Sequence, residues 1–127
     1  MFDVDYIKAT NLEDALDFLN ANGAKTKILA GGTDIMVDMR SGALKTRYLL
    51  DVSRLDDLKK IEIRDGQLSI GAAVTISELV ESDTIADMTP ALRKAGEKFA
   101  SRQIRNVATI GGNVAHCSPC GDTIPPL

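Results

Sequence analysis

The sequence predicts an α+β protein of two small lobes, and three observations carry that prediction. Over residues 1–55, apolar runs alternate with helical patterns as strand, helix, strand, helix, strand, the order of a small parallel βαβαβ unit. Over residues 56–127 the pattern changes: two runs rich in isoleucine and leucine flank Asp65-Gly66, a strong hairpin signal, and helices follow. This half reads as mostly antiparallel with helices, and the change falls at Ser53 to Asp57. A chain of 127 residues is long enough for one domain or for two small lobes sharing a core.

Tyr6-Ile7-Lys8 opens the first half as a strand. Thr10 with Glu13 three residues on has the spacing of a capping box, and Leu12, Ala15, Leu16 and Leu19 then share one helical face. Gly23 suits the C′ position that ends this helix. Lys27-Ile28-Leu29-Ala30 reads as a buried strand running into Gly31-Gly32-Thr33-Asp34, where Thr33 is the expected cap of a second helix. Ile35, Met36 and Met39 give that helix an apolar face, Gly42 ends it, and Tyr48 to Val52 form the next strand.

In the second half, Leu58 to Arg64 and Gln67 to Ala72 form the hairpin. Thr75 caps a short helix reaching Glu81. Pro90 fits the first turn of a longer helix capped by Thr89, with Leu92, Ala95 and Phe99 on its inner face. Lys94, Lys98, Arg102 and Arg105 would form one basic stripe if the helix persists that far. Such a stripe serves as a solvated face or as a contact for an acidic partner or phosphate.

Composition excludes several classes. Hydrophobic residues make up 44% and charged residues 26%, the mix of a globular domain. A net charge of -3 argues against a nucleic-acid binder. No apolar run approaches a membrane span, and Asp3 and Asp5 interrupt any signal-peptide pattern, so a cytoplasmic protein is expected. Two cysteines in one short segment do not make a disulfide framework.

Two stretches carry the chemistry. In the first, Gly31-Gly32-Thr33-Asp34 sits between a strand and a helix start, where orphan amides with partial positive charge favour an anion. The plain alternative is a tight strand-to-helix turn, and the spacing matches neither a Walker A loop nor a Rossmann fingerprint. In the second, Val107, Ala108 and Ile110 anchor one end in the core, and Gly111-Gly112 lets a ligand approach the backbone. Thr109, Asn113 and Ser118 add short donors and acceptors, and Asp122 adds an acceptor. The composition suits a cradle for phosphate or sugar hydroxyls, or else a turn-rich connector.

The segments Ile28-Leu29-Ala30-Gly31-Gly32-Thr33-Asp34-Ile35 and Ala108-Thr109-Ile110-Gly111-Gly112-Asn113, followed by Ser118-Pro119 and Asp122, resemble the paired signatures of one family. It is the FAD-binding subunit of molybdenum hydroxylases, which includes the xanthine dehydrogenase and carbon monoxide dehydrogenase medium subunits. Phe2 to Tyr6 and the hairpin are in keeping, and the resemblance covers essentially the whole chain. It implies a two-lobed FAD-binding domain with FAD between the lobes. By the family pattern, Ile28 to Ile35 form the first cofactor-binding segment, and the backbone of Leu29 to Thr33 holds the diphosphate. Thr109, Ile110, Gly111, Gly112 and Asn113 form the second segment, with Ser118 beyond it. Phe99 packs near the flavin nucleotide, and Asp122 hydrogen-bonds cofactor hydroxyls. The resemblance implies no catalytic side chain and no metal in this chain. It implies the flavoprotein subunit of an oxidoreductase assembly: a molybdopterin subunit hydroxylates the substrate, an iron–sulfur subunit carries electrons, and FAD delivers them to NAD or another acceptor.

Two features depart from that pattern. Family members continue through a helix and a C-terminal domain, whereas this sequence stops at Pro125-Pro126-Leu127. The second lobe therefore reads as incomplete at its C-terminus, the fragment alone is expected to be inactive, and another chain or self-association is expected to cover it. The alternative is a non-catalytic interaction module that keeps the fold without cofactor. The other departure is Cys117-Ser118-Pro119-Cys120, the spacing of a redox dithiol, an iron–sulfur ligand pair or half a zinc site, with His116 beside it. No other Cys or His completes a zinc site, so two small residues lining a loop is the expected role.

Overall fold

The computed structural model describes residues 2–117 and 122–127. A three-stranded parallel sheet forms first from β1 (Asp5–Lys8), β2 (Thr26–Leu29) and β3 (Tyr48–Asp51), in the order β1-β3-β2. Helices α1 (Leu12–Asn22) and α2 (Ile35–Ser41) make the crossovers. The last strand enters the middle, pairing Tyr6 with Leu49 on one side and Ile28 with Leu50 on the other. Burial follows this order: Leu49 and Leu50 are buried on β3, while Ile28 is exposed. The expectation of a buried strand at Lys27–Ala30 is therefore corrected. It is an edge strand, because the central place goes to the strand with two partners.

Local capping also differs from expectation in this half. Asn11, not Thr10, caps α1, its side-chain oxygen accepting from the Asp14 amide at 2.8 Å. Gly23 stays in right-handed helical space and leads into a single 3₁₀ turn over Gly23–Lys25, so it is not a left-handed stop. At α2 the cap position belongs to Asp34 rather than Thr33, with no side-chain capping bond, while Gly42 ends the helix at φ 78°.

The second half begins with β4 (Ile61–Arg64) and β5 (Gln67–Ile70), joined through Asp65 and Gly66 at φ 50° and 74°. Two positive φ values in a two-residue loop are the hairpin geometry that Asp-Gly favours. Helix α3 (Ile76–Glu81) carries a complete capping box between Thr75 and Glu78. A further short helix, α4 (Asp83–Met88), is capped by Ser82, and sequence reading missed it. Helix α5 (Pro90–Lys98) has Pro90 in its first turn and buries Leu92 and Gly96, although Thr89 makes no side-chain cap.

The chain then breaks. Phe99 is extended, Ala100 takes φ 41°, and Ser101 caps a separate turn, α6 (Arg102–Arg105). The basic stripe is therefore not continuous: Arg105 folds back to donate to the carbonyls of Glu97 at 2.7 Å and Phe99 at 3.3 Å. Gly111-Gly112 lies not in a loop but in the first turns of α7 (Ile110–His116), capped by Thr109.

Two apolar clusters result. One gathers Ala9, Ala15, Leu50 and Leu55, with Leu12, Phe18, Leu19 and Leu58 against it. The other gathers Val74, Ile76, Leu79, Ile85, Leu92, Ala108 and Ile110, with Phe99 against it. No helix among the described residues is long and apolar enough to cross a membrane.

Two carboxylates tie local structure to pH. Burial raises the affinity of Asp51 for a proton, but bonds from the Tyr6 hydroxyl and the Ser53 amide outweigh it and hold the group below its ordinary value. For Glu78 burial acts the same way, and bonds from the Thr75 amide and hydroxyl, with Lys59 nearby, again win. A depressed folded pKa means stability that is present above the unfolded values of 3.8 and 4.5 and is lost as pH falls through the folded ones. Melting midpoints should therefore fall below the ordinary carboxylate range, and Glu78→Gln combined with Tyr6→Phe should flatten that acid limb. An unchanged limb in the double variant would refute the assignment. Thr75→Ala should cost about 1 kcal/mol in chemical unfolding, because it removes the acceptor for the α3 amide.

Candidate functional site

Parallel strands deliver their C-terminal ends to one edge of a sheet, and ligands bind outside that edge. Here β2 runs out through Ala30 to Asp34, and β3 through Val52. The second half brings α7 to the same place. The Ala108 carbonyl accepts from the Ile76 amide at 2.9 Å, while the amides of Ile110 and Gly111 donate to Val74 at 3.0 Å and Ala72 at 2.9 Å. These bonds flank an antiparallel bridge between Thr75 and Thr109, which fastens the start of α7 to the exit of the hairpin.

The two glycine segments then touch. A Cβ built on Gly31 would overlap the Val107 carbonyl oxygen and lie 2.7 Å from its carbon and 2.9 Å from Ala108 Cα. No side chain fits there without displacing backbone. Gly32 has φ 74°, a conformation costly to other residues. Gly111 lies against Ala72, where a Cβ would stand 2.6 Å from the carbonyl oxygen. Three of the four glycines are thus required by contacts or conformation within the chain. At Gly112 the amide donates to the Thr109 hydroxyl at 3.0 Å, and a Cβ would come within 2.9 Å of that oxygen.

A cleft of about 740 Å³ lies over this junction. Ile28, Ala30, Gly31, Gly32, Thr33, Asp34, Ile35, Phe99, Thr109, Gly111, Gly112 and Asn113 all line it. Ile110 does not, being buried in the second cluster, and neither Leu29 nor the exposed Asp122 is among the lining residues. Ser118 and Cys120 lie outside the described residues. Sequence reading missed the wall formed by Leu16 and Leu19. The sequence carried only the apolar face of α1; that Leu16 is left 52% exposed on it, free to form a wall, appears in the structure alone.

The donors are distributed unevenly. The amides of Ala30, Gly31, Gly32 and Thr33 find no backbone acceptor among the described residues, whereas those of Ile110, Gly111 and Gly112 are already engaged. The first segment therefore supplies the backbone donors, and the second supplies small surface area and side chains. Lys27 and His116 line the cleft alongside Asp34 and Asp38, so its side chains carry little net positive charge. A bound anion there would be met by amide dipoles rather than by a cluster of cations. The apolar walls of Leu16, Ile28 and Phe99 suit flat, poorly hydrated rings. Volume, donors and walls together fit a dinucleotide.

Other features lend less. A smaller hollow of about 480 Å³, lined by Lys25, Lys45 and Arg47, sits at the opposite ends of the strands, and Arg47 is paired there with Asp5 at 2.8 Å. Among the described residues no group of three or more His, Cys, Asp or Glu could hold a metal. Cys117 is exposed and ends α7 at φ 52°.

Comparison with known proteins agrees with this geometry. Residues 2–127 match the family described as FAD binding domain in molybdopterin dehydrogenase. The chain is 38% identical to the xanthine dehydrogenase FAD-binding subunit of Escherichia coli O157:H7, over 99% of this chain and 44% of that protein. It is 31% identical to the glyceraldehyde dehydrogenase medium chain of Sulfolobus acidocaldarius, over 92% of this chain and 41% of that protein. Reconstituted CO dehydrogenase from Oligotropha carboxidovorans superposes with a TM-score of 0.91 at 32% identity, covering 94% of this chain and 42% of that one. The chain thus spans less than half the length of the relatives it matches. With the match running through both glycine segments and the cleft between them, the chain belongs to the family of FAD binding domains in molybdopterin dehydrogenases.

Proposed function

We propose that the chain forms the dinucleotide-binding part of the flavoprotein subunit of a molybdopterin-dependent dehydrogenase, with FAD in the cleft between a lobe of residues 1–55 and a lobe of residues 56–127. The observation that carries this reading is the meeting of two glycine segments, distant in sequence, at one cleft whose backbone donors at Ala30 to Thr33 have no acceptor among the described residues. The amides of Ala30 to Thr33 hold the diphosphate. Thr109 and Asn113 face it from α7, and Gly111 and Gly112 keep that side free of bulk. Leu16, Ile28 and Phe99 pack against the rings.

Bound flavin would supply the redox chemistry. The protein binds, orients and shields it. In the assembly the subunit receives electrons from an iron–sulfur subunit, which drains a molybdopterin subunit, and passes them to NAD or another acceptor. The complex is an oligomer in the cytoplasm. A cofactor-free interaction module would not call for a row of amides in the cleft lining with no acceptor among the described residues, so that alternative is not favoured.

The visible spectrum of the purified complete subunit tests the reading, since bound flavin absorbs blue light; a colourless subunit that takes up no FAD would refute it. Gly31→Ala should lose flavin and about 1–3 kcal/mol of stability together, because its Cβ meets backbone that cannot yield. Gly112→Val should lose flavin with a smaller change in stability, because the obstruction there is a side-chain hydroxyl. Normal flavin content in either variant would overturn the loop assignment. Cys117→Ala with Cys120→Ala should leave folding and flavin content unchanged, and loss of either, or of bound metal, would give the cysteine pair a role.

A further inference from the structure

Of the cations Lys94, Lys98, Arg102 and Arg105, Arg105 alone is partly withdrawn from solvent. Its Nη1 donates to the Glu97 carbonyl at 2.7 Å and to the Phe99 carbonyl at 3.3 Å. A guanidinium has donors and no acceptor, so these bonds run in one direction only. They fall where α5 ends. The last carbonyls of a helix have no partner within it, and no glycine follows Phe99 to turn the chain. Ala100 takes φ 41° instead, a conformation that is costly to a residue with a Cβ and persists only where its surroundings hold it. Arg105 supplies that hold from the next turn, α6.

The bend places two parts of the cleft. On one side, Phe99 lines the cleft and packs against the second apolar cluster. Its amide donates to Gly96 at 3.2 Å and its carbonyl accepts from Arg105, so the backbone is held on both sides of the Cα that carries the ring. On the other side, the amides of Val107 and Ala108 donate back to Ile104 at 3.1 and 2.8 Å, so α6 runs directly into the backbone that meets Gly31. We infer that Arg105 is a positioning residue, which fixes the Phe99 ring in the wall of the cleft at a set place relative to the Val107–Ala108 floor. The inference rests on the proposed FAD site, in which that ring packs against a ring of the cofactor. Arg105 is not among the residues lining the cleft and acts only through Phe99. Without its two bonds the turn at Ala100 relaxes, and the ring loses its fixed direction.

The test uses the complete subunit, stripped of cofactor and titrated with FAD by flavin fluorescence, with melting midpoints measured in parallel. Phe99→Ala should weaken FAD binding about tenfold, the usual worth of an aromatic ring stacked on a base. Arg105→Met keeps an apolar stem and removes the donors, and it should cost at least about threefold but no more than Phe99→Ala does. In a Phe99→Ala background, Arg105→Met should have no further effect on affinity, although it should lower the melting midpoint there as it does in the wild type. A merely structural role would lower affinity in both backgrounds. Ala100→Gly separates stability from positioning. Glycine takes positive φ without strain, so it should raise the melting midpoint of Arg105→Met without restoring affinity, because the tie to Phe99 is still missing. Unchanged affinity in Arg105→Met, an equal loss with and without Phe99, or recovery with Ala100→Gly to within about twofold of wild type would each overturn the inference. Should Arg105→Met alone not fold, its combination with Ala100→Gly decides by the same limit of about twofold. Failure of the wild-type subunit to bind FAD would instead overturn the proposed function, a result distinct from wild-type binding that Arg105→Met leaves untouched.

Discussion

The approach of Gly31 to the backbone of Val107 and Ala108 sets the geometry of everything around it. The two apolar clusters share no buried residue, so side-chain packing within either one does not fix how they face each other. Backbone contact does. From Ala108 the restraint passes into the second cluster through the bonds to Ile76, Val74 and Ala72. From Gly31 it passes directly to β2. A cleft positioned by main chain against main chain has little slack, because carbonyl and Cα positions cannot adjust as a rotamer can. The walls of the cleft can then vary in side chain without moving its floor.

That floor divides two tasks that the sequence appears to duplicate. Both motifs contain Gly-Gly, but the two pairs do different physical work. At Gly31-Gly32 the glycines permit contact and a left-handed turn while the neighbouring amides find no acceptor among the described residues. At Gly111-Gly112 the amides are consumed by Ala72 and by the Thr109 cap, and Gly111 lets the helix lie close against the hairpin exit. One motif offers donors, and the other offers proximity. An anion can be neutralised in this way without a metal, since the oriented amides cost nothing to reorganise on binding.

The features legible in the sequence were those with local causes. Asp65-Gly66, the Thr75 cap, Pro90 at a first turn and Gly42 at a helix end each depend on a few neighbouring residues, and each stands as expected. The misread features depend on distant partners. Lys27–Ala30 is as apolar as a central strand, but its place at the edge follows from where β3 inserts. Gly111-Gly112 looks like a loop until Val74 and Ala72 are known to accept the first amides of α7. The basic stripe failed because Ala100 adopts positive φ without being glycine, which no local rule anticipates. For the site, the resemblance located both motifs, but it could not say which amides were spent or that Arg105 reaches back to Phe99.

Separate cores joined by few contacts have an energetic consequence. Each cluster buries its own apolar residues, with Leu58 reaching from the second half to the first cluster, whereas the junction at Gly31 rests on short backbone contacts beside an open cleft. The relative motion of such halves is opposed mainly by that junction, and interfaces of this kind are where domain motions arise by default. A ligand that bonds to the amides of Ala30 to Thr33 on one side and to Asn113 on the other spans the same gap. It binds only when both sides are in place, so its binding energy adds to the stability of the closed arrangement by linkage. The contact at Gly31 holds the two sides near that arrangement beforehand, which reduces what binding must spend on ordering them. Close backbone packing and ligand affinity are therefore two expressions of one constraint, and a change that loosens the first must weaken the second even where no ligand contact is touched.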